Sequence, residues 1–465
     1  MTGKVDAADG GSAGGWLLGG LKAAGLAGAL IGVAAAGAAA GVVAERHAVG
    51  RSRRRVDDPY LDEPFGHLPY DRMLTVTADG GVPLHVEVVE PDDTGQPPDL
   101  TVVFVHGFCL DMGTWHFQRR ALTELQRQRA ALTAPKSKRR GLGALRSAPE
   151  VAVETLPASE ELQAVPDDPR CRLVLYDQPG HGRSGKRAAT DYDLDQLGAD
   201  LATVIAEVAP EGPLVLAGHS MGGMTVMALA ERVPEFFAER VIGVALISTS
   251  AGHLDDVGLG IPPVLAKLRK PLMPTIGGVL KRQHELAEVG RRAGSDVAYL
   301  LTRRYGFGSK EPSPSLIDYV ERMNSSTSME VIAAYLGTLS EHDRYAALEV
   351  FDGIETLVVC GDRDLLTPVQ HTREIARLLP GAELVEVADG GHVTLMEHAD
   401  LVNAHFVEFL RRAARSLVTH EPPAKRRKVR RRDEIAARAE RREKAVTAGA
   451  EERRRLWKIL RRRGA

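Results

Sequence analysis

Cysteine is scarce in this chain. Three residues in 465, Cys109, Cys171 and Cys360, form no Cys-x-x-Cys pair and are too few for a disulfide framework. Aromatic residues make up only 5% of the sequence, too little for the stacking platform of a nucleic-acid binder, so nucleic acid is not an expected partner. No period of the kind that marks a solenoid or propeller runs through the chain. Histidines are present, but His106, His181, His219 and His392 include no pair at compact ligand spacing, so neither a metal nor another cofactor is expected. The net charge is small, −2 with histidine neutral, and it conceals a strongly basic C-terminal tail balanced by an acidic remainder.

What is present is a repeated pattern of short apolar runs, turns and amphipathic stretches from about residue 100. It predicts a mostly parallel sheet covered by helices, an α/β fold. Its most informative segment is Gly218-His219-Ser220-Met221-Gly222, which reads Gly-x-Ser-x-Gly. The run Pro213 to Ala217 before it predicts a buried strand, and Gly223 to Arg232 after it a helix. A serine at the apex of so sharp a turn is presented as a nucleophile, and it sits at a helix N-terminus, where developing negative charge is favoured. A serine hydroxyl is a weak nucleophile and needs a base oriented by a third group. Downstream, the apolar run Thr356 to Cys360 leads into Gly361-Asp362-Arg363-Asp364, and Glu383 to Val387 leads into Ala388-Asp389-Gly390-Gly391-His392. Ser220, Asp364 and His392 thus follow the chain order nucleophile, acid, base, each just after a predicted strand.

With these pieces in place the chain resembles the α/β-hydrolase superfamily, in particular its lipase, esterase and monoglyceride-lipase-like branch. The matching segments, spanning roughly residues 70 to 415, are His106-Gly107-Phe108, Asp177 to Ser184, the serine turn, Gly361 to Asp364 and Gly391-His392. The resemblance implies that Asp364, four residues before Pro368, is the acid rather than Asp362. It implies an oxyanion hole made by the backbone N–H groups of Phe108 and Met221. It implies acyl chemistry, since the dehalogenase-like and epoxide-hydrolase-like branches carry aspartate at the turn. Asp177 to Ser184, rich in Pro and Gly, reads as a structural turn. Cys360 reads as core. Cys109 follows the oxyanion segment, where a thiol reagent would block the site.

Two insertions interrupt the core. Residues 126–168, basic and then acidic and Pro-containing, read as a disordered loop. Residues 251–345 carry helical stretches at Pro263–Arg269, Val279–Arg292, Val297–Arg304, Ser315–Ser325 and Ser328–Leu339, and the resemblance implies a helical cap over the active site. The expected organisation is an Ala/Gly-rich N-terminal segment with a basic flank (1–56), a first half of the core (70–250), the cap (251–345), a second half of the core (346–416) and a basic tail (417–465).

The ends suggest a membrane. Ala23 to Ala44 contains no charged residue, and at ~1.5 Å per helical residue it roughly spans a ~30 Å hydrocarbon core. With residues 16–44 as an anchor and Arg46, Arg51, Arg53, Arg54 and Arg55 behind it, the catalytic domain falls on the cytoplasmic side. Cleavage as a signal peptide, or a soluble low-complexity segment, are the alternatives. In the tail, Leu456, Trp457, Ile459 and Leu460 lie among arginines, as in an interfacial helix. The sequence therefore predicts a serine hydrolase of carboxylic esters of apolar acyl groups, its substrate a small apolar ester or lipid. A thioesterase, C–C hydrolase or perhydrolase would use the same residues, and a ligand receptor or scaffold without turnover would retain the fold.

Overall fold

The structure is a computed structural model and describes residues 58–91, 96–133, 168–188, 191–254 and 298–419. Eight strands form one sheet in the order β1-β2-β4-β3-β5-β6-β7-β8. They are β1 (Arg72–Ala78), β2 (Val82–Val89), β3 (Leu100–Val105), β4 (Cys171–Tyr176), β5 (Leu214–His219), β6 (Val241–Ile247), β7 (Glu355–Gly361) and β8 (Glu383–Val387). β1 and β2 form an antiparallel hairpin, β2 joins β4 antiparallel, and every pairing from β4 through β3 to β8 is parallel.

The central strands read as unbroken apolar runs because helices cover both faces. Val102, Phe104, Val215, Ala217, Ala245 and Ile247 point into one core with Phe117, Phe406 and Phe409. Val103, Val105, Leu214, Leu216, Val244 and Leu246 point into the other with Leu201, Val226 and Met227. The period-two alternation of strand side chains thus feeds two cores from one sequence run. The first core is covered by α1 (His116–Thr133) and the long final helix α8 (Ala399–Thr419), and the second by α2 (Leu194–Val208), α3 (Met221–Arg232) and α7 (Val369–Leu378). Asp193 caps α2, its side chain accepting from the Gln196 N–H at 2.7 Å. A proline opens the short α4 (Pro234–Arg240), where the missing N–H costs nothing.

Between β6 and β7 the described residues are helical over 298–306, in α5 (Pro314–Ser326) and in α6 (Met329–Ser340). The expected helices at 263–269 and 279–292 lie outside the described residues, as do residues 16–44 and all of the tail beyond 419. No helix among the described residues is long and apolar enough to cross a membrane. The expected loop at 126–168 begins later than the sequence suggested. α1 continues past Gln126 to Thr133, and residues 134–167 lie outside the description. Gln126 is buried and donates to the Pro169 carbonyl at 3.0 Å, while Asp168 pairs with Arg411, so both ends of that span belong to the core.

Candidate active site

The turns at the carboxyl ends of β3, β4, β5, β7 and β8 converge on one edge of the sheet, where ligands bind in open α/β folds. At the end of β5 the chain reverses into α3 through Ser220, whose φ of 53° lies in the left-handed region. Such strain persists only where the surroundings fix it. Here the Ser220 N–H donates to the Ile247 carbonyl at 2.9 Å, and its own carbonyl accepts from the Thr249 hydroxyl at 2.7 Å and from the Gly223 N–H at 3.0 Å. α3 crosses close beneath β3, and a Cβ on Gly222 would collide with the Val105 carbonyl, so that position requires glycine.

Ser220 Oγ lies 2.9 Å from His392 Nε2, and His392 Nδ1 lies 2.9 Å from Asp364 Oδ2. All three side chains are buried. The other Asp364 oxygen accepts from the backbone N–H groups of Leu366 (2.8 Å) and Thr367 (2.9 Å), and the Thr367 hydroxyl donates to Oδ2 at 2.8 Å. Burial alone would push the Asp364 carboxyl up, but the His392 imidazole and the Thr367 hydrogen bonds outweigh it and hold the carboxyl below its ordinary value. Asp364 is therefore ionised opposite the imidazole. Asp362, the other acid in the loop, is exposed, and its backbone N–H bonds to the Val387 carbonyl.

Behind the histidine, His219 is fully buried, and burial and the neighbouring His392 imidazole push it down to about 3. It is therefore neutral, and its Nε2–H donates to the His392 carbonyl at 2.9 Å. The residue beside the serine thus holds the histidine loop, a contact for which the sequence carries no local signal.

Phe108 and Met221 flank Ser220 on the wall of a cavity of about 930 Å³. The remaining wall is mainly apolar, with Met224, Leu254, Leu301, Val320, Ile332, Leu336 and Val393, much of it from the helical residues between β6 and β7. Cys109 lines it too, but burial pushes its thiol up to about 12. Almost none is thiolate at neutral pH, so alkylation that would block the site is slow.

The segment Asp177 to Ser184 is structural, as the sequence suggested, and its function is to hold the Phe108 loop. Gln178 donates through its backbone N–H to His106 Nε2 (2.8 Å) and through its amide to the His106 carbonyl (2.7 Å). His181 Nε2 accepts from the Cys109 N–H at 3.1 Å, and burial pushes that imidazole down to about 4, which keeps it a neutral acceptor. Asp177 accepts from the Met112 N–H at 2.9 Å and the Arg183 N–H at 2.8 Å. These residues lie far from Phe108 in sequence but beside it in space because β3 and β4 are parallel neighbours.

Comparison with known proteins agrees with this architecture. The chain is 29% identical over 235 residues to the dihydrolipoyllysine-residue acetyltransferase component of an acetoin cleaving system from Cupriavidus necator, covering 50% of this chain and 54% of that protein. It is 28% identical over 245 residues to a pimeloyl-[acyl-carrier protein] methyl ester esterase of Stenotrophomonas maltophilia, covering 51% and 83%. The chain thus spans about half the length of the first of these relatives. A bromoperoxidase structure from Bacillus anthracis superposes with a TM-score of 0.50 at 18% identity, over 73% of this chain and 100% of that one, which shows the fold alone. A family model described as alpha/beta hydrolase fold matches residues 154–399, more than half of the sequence, and the chain belongs to that family.

Proposed function

We propose that the protein is a serine hydrolase of the lipase and esterase kind, monoglyceride-lipase-like in its motifs, that cleaves carboxylic esters of apolar acyl groups. One observation carries the reading: Ser220, His392 and Asp364 are joined by two contacts of 2.9 Å at the wall of a largely apolar cavity of about 930 Å³. Ser220 Oγ attacks the ester carbonyl carbon while His392 Nε2 takes its proton. The negative charge on the carbonyl oxygen falls to the backbone N–H groups of Phe108 and Met221. His392 returns the proton to the departing alcohol, and the acyl group stays on Ser220. Water, deprotonated by the same nitrogen, then releases the carboxylic acid. Asp364 fixes the Nδ1–H tautomer and stabilises the imidazolium. The ester-hydrolysing relative from Stenotrophomonas supports an oxygen ester as the bond cleaved.

The test is hydrolysis of 4-nitrophenyl esters from acetyl to long acyl, with Ser220→Ala alongside. Turnover should fall by about 10⁶ in the variant. If Ser220 neither turns over any ester nor reacts with a fluorophosphonate in the folded protein, the hydrolase reading is wrong. Labelling without oxygen-ester turnover moves the reading to thioesters.

Association with the inner face of a membrane is a separate proposal. Its support is the charge-free run within residues 16–44 and the arginines of the tail. Salt-resistant sedimentation with membranes that survives deletion of both segments would overturn it.

A further inference from the structure

The histidine loop is gripped from a side that takes no part in proton transfer. Glu397, half-buried at the end of the single turn Thr394–Glu397, extends its carboxylate between two backbone segments. One oxygen accepts from the Ser309 N–H at 2.8 Å and the Gly308 N–H at 3.1 Å. The other accepts from the Gly391 N–H at 2.7 Å and from Gly308 at 3.0 Å. Gly391 directly precedes His392. Residues 308 and 309 follow the helical stretch 298–306, whose Leu301, Thr302 and Tyr305 line the cavity. One side chain therefore bonds both to the segment that continues from the cavity-lining helix and to the loop carrying the proposed base.

We propose that Glu397 is a positioning residue for His392, locking the 306–309 loop to the histidine loop so that the imidazole is set by the cavity wall as well as by the sheet. The proposal rests on the reading of His392 as the base. The two segments meet backbone to backbone. A Cβ on Gly391 would lie 2.5 Å from the Gly306 oxygen and the Gly308 nitrogen, and one on Gly308 would lie 2.5 Å from the Asp389 oxygen. No Cβ fits at either glycine, yet three N–H groups there need acceptors. Only a carboxylate offers an acceptor on both prongs, and charge-assisted bonds of this kind are the stronger ones. Two further ties close the seam. The Val393 N–H donates to the Gly306 carbonyl at 2.9 Å, and Arg363 donates to the Gly308 carbonyl at 3.1 Å while ion-pairing with Asp389.

Glu397→Gln tests this with the shape conserved, because the amide turns one prong into a donor facing an N–H. Misplacing a reacting group by as little as ~1 Å costs about 10²-fold. The expected result is a kcat 10- to 100-fold lower, by the same factor for acetyl and long-chain esters, with KM nearly unchanged. The rate of fluorophosphonate labelling at Ser220 should fall in parallel. Glu397→Asp, which keeps both acceptors, should recover part of the loss and carries the test if the glutamine variant unfolds. Amide exchange at Gly391 and Ser309 should rise in Glu397→Gln while the sheet amides stay protected. Unchanged kcat and labelling in the folded variant would overturn the proposal, as would a loss confined to KM for long acyl chains. Unchanged exchange at both amides overturns it whatever the activity. A wild-type protein that neither labels nor turns over sinks the hydrolase reading instead, and the exchange data still decide whether the lock exists.

Discussion

The loop after β3 separates two cavities of different character. Phe108, Cys109 and Leu110 face the mainly apolar cavity of about 930 Å³ that holds Ser220. Asp111, Met112 and Gly113 face a smaller and more polar one of about 270 Å³, lined also by Glu87, Arg119, Asp177, Arg183 and Tyr319. In the second, Glu87 pairs with Arg119 at 2.7 Å and Arg183 at 3.2 Å, and Asp177 holds the Met112 N–H. The Glu87–Arg119 pair is buried and the Arg183 partner exposed, and ion pairs of either kind contribute little net stability. They are directional, however, and in the proposed reaction the Phe108 N–H is a donor that needs direction. On the proposed reading the apolar side sets which acyl chains fit and tolerates changes of shape. On the same reading the polar side, through the Asp177 bond to the Met112 N–H, sets where the Phe108 N–H points and tolerates almost none.

That contrast is broken most severely at Asp177. Asp177→Ala leaves the Met112 and Arg183 N–H groups without their acceptor and frees the loop. Loss of one oxyanion donor costs about 10²–10³ in kcat, and we expect the lower part of that range for all acyl lengths with KM little changed. A steady-state series over acyl length checks it. A loss seen only in KM would mean that the polar cluster shapes the pocket and does not aim the donor. The opposite intervention is Ile332→Trp on the apolar wall. It should lower kcat/KM for the longest ester by about tenfold, the scale on which pocket volume discriminates, and leave acetyl ester and phosphonate labelling unchanged. Equal loss on all chain lengths would show that α6 supports the catalytic groups themselves.

The same division decided what could be read from the sequence. The order of Ser220, Asp364 and His392 was legible because each follows an apolar strand and carries its own chemistry. Strand limits agreed to within two residues, as at Glu383–Val387, since a buried parallel strand is a local signal. The choice of Asp364 over Asp362, made from the resemblance, matches burial of the first and exposure of the second. What was not legible is everything that depends on which strands are neighbours. Asp177, Gln178 and His181 read as a turn and nothing more, because their bonds to 106–112 exist only once β4 lies beside β3. A cluster of Asp, Gln and His in one turn, with more hydrogen-bonding groups than a turn can satisfy by itself, was the available hint. Glu397 offered less, a single acid near a histidine. The boundary at 126 failed for another reason. The stretch to Thr133 is Arg- and Gln-rich and weakly amphipathic, yet helix propensity and the anchoring of Gln126 carry α1 through it.

The smallest expected effect separates the two cavities by their response to pH. Burial, and then the neighbouring Asp111 carboxyl, push Asp177 up to about 6. Asp364 on the apolar side is held below its ordinary value. The signs are opposite. The folded state binds a proton at Asp177 more tightly than the unfolded chain does, so the stability this contributes is complete below the ordinary value of 3.8 and is lost as pH rises through about 6. Asp364 contributes stability above its ordinary value of 3.8 and loses it as pH falls through the lower folded value. Asp111→Asn removes the like charge while keeping an oxygen to accept the Gly113 N–H, a bond of 2.7 Å. The variant should match the wild type in unfolding free energy near pH 3.5 and exceed it by about 1 kcal/mol at pH 7, the scale of one pKa unit. Denaturant titrations at the two pH values measure that difference. A gain of equal size at both would assign it to packing around Asn, and the polar cavity would then owe nothing to the repulsion between Asp111 and Asp177.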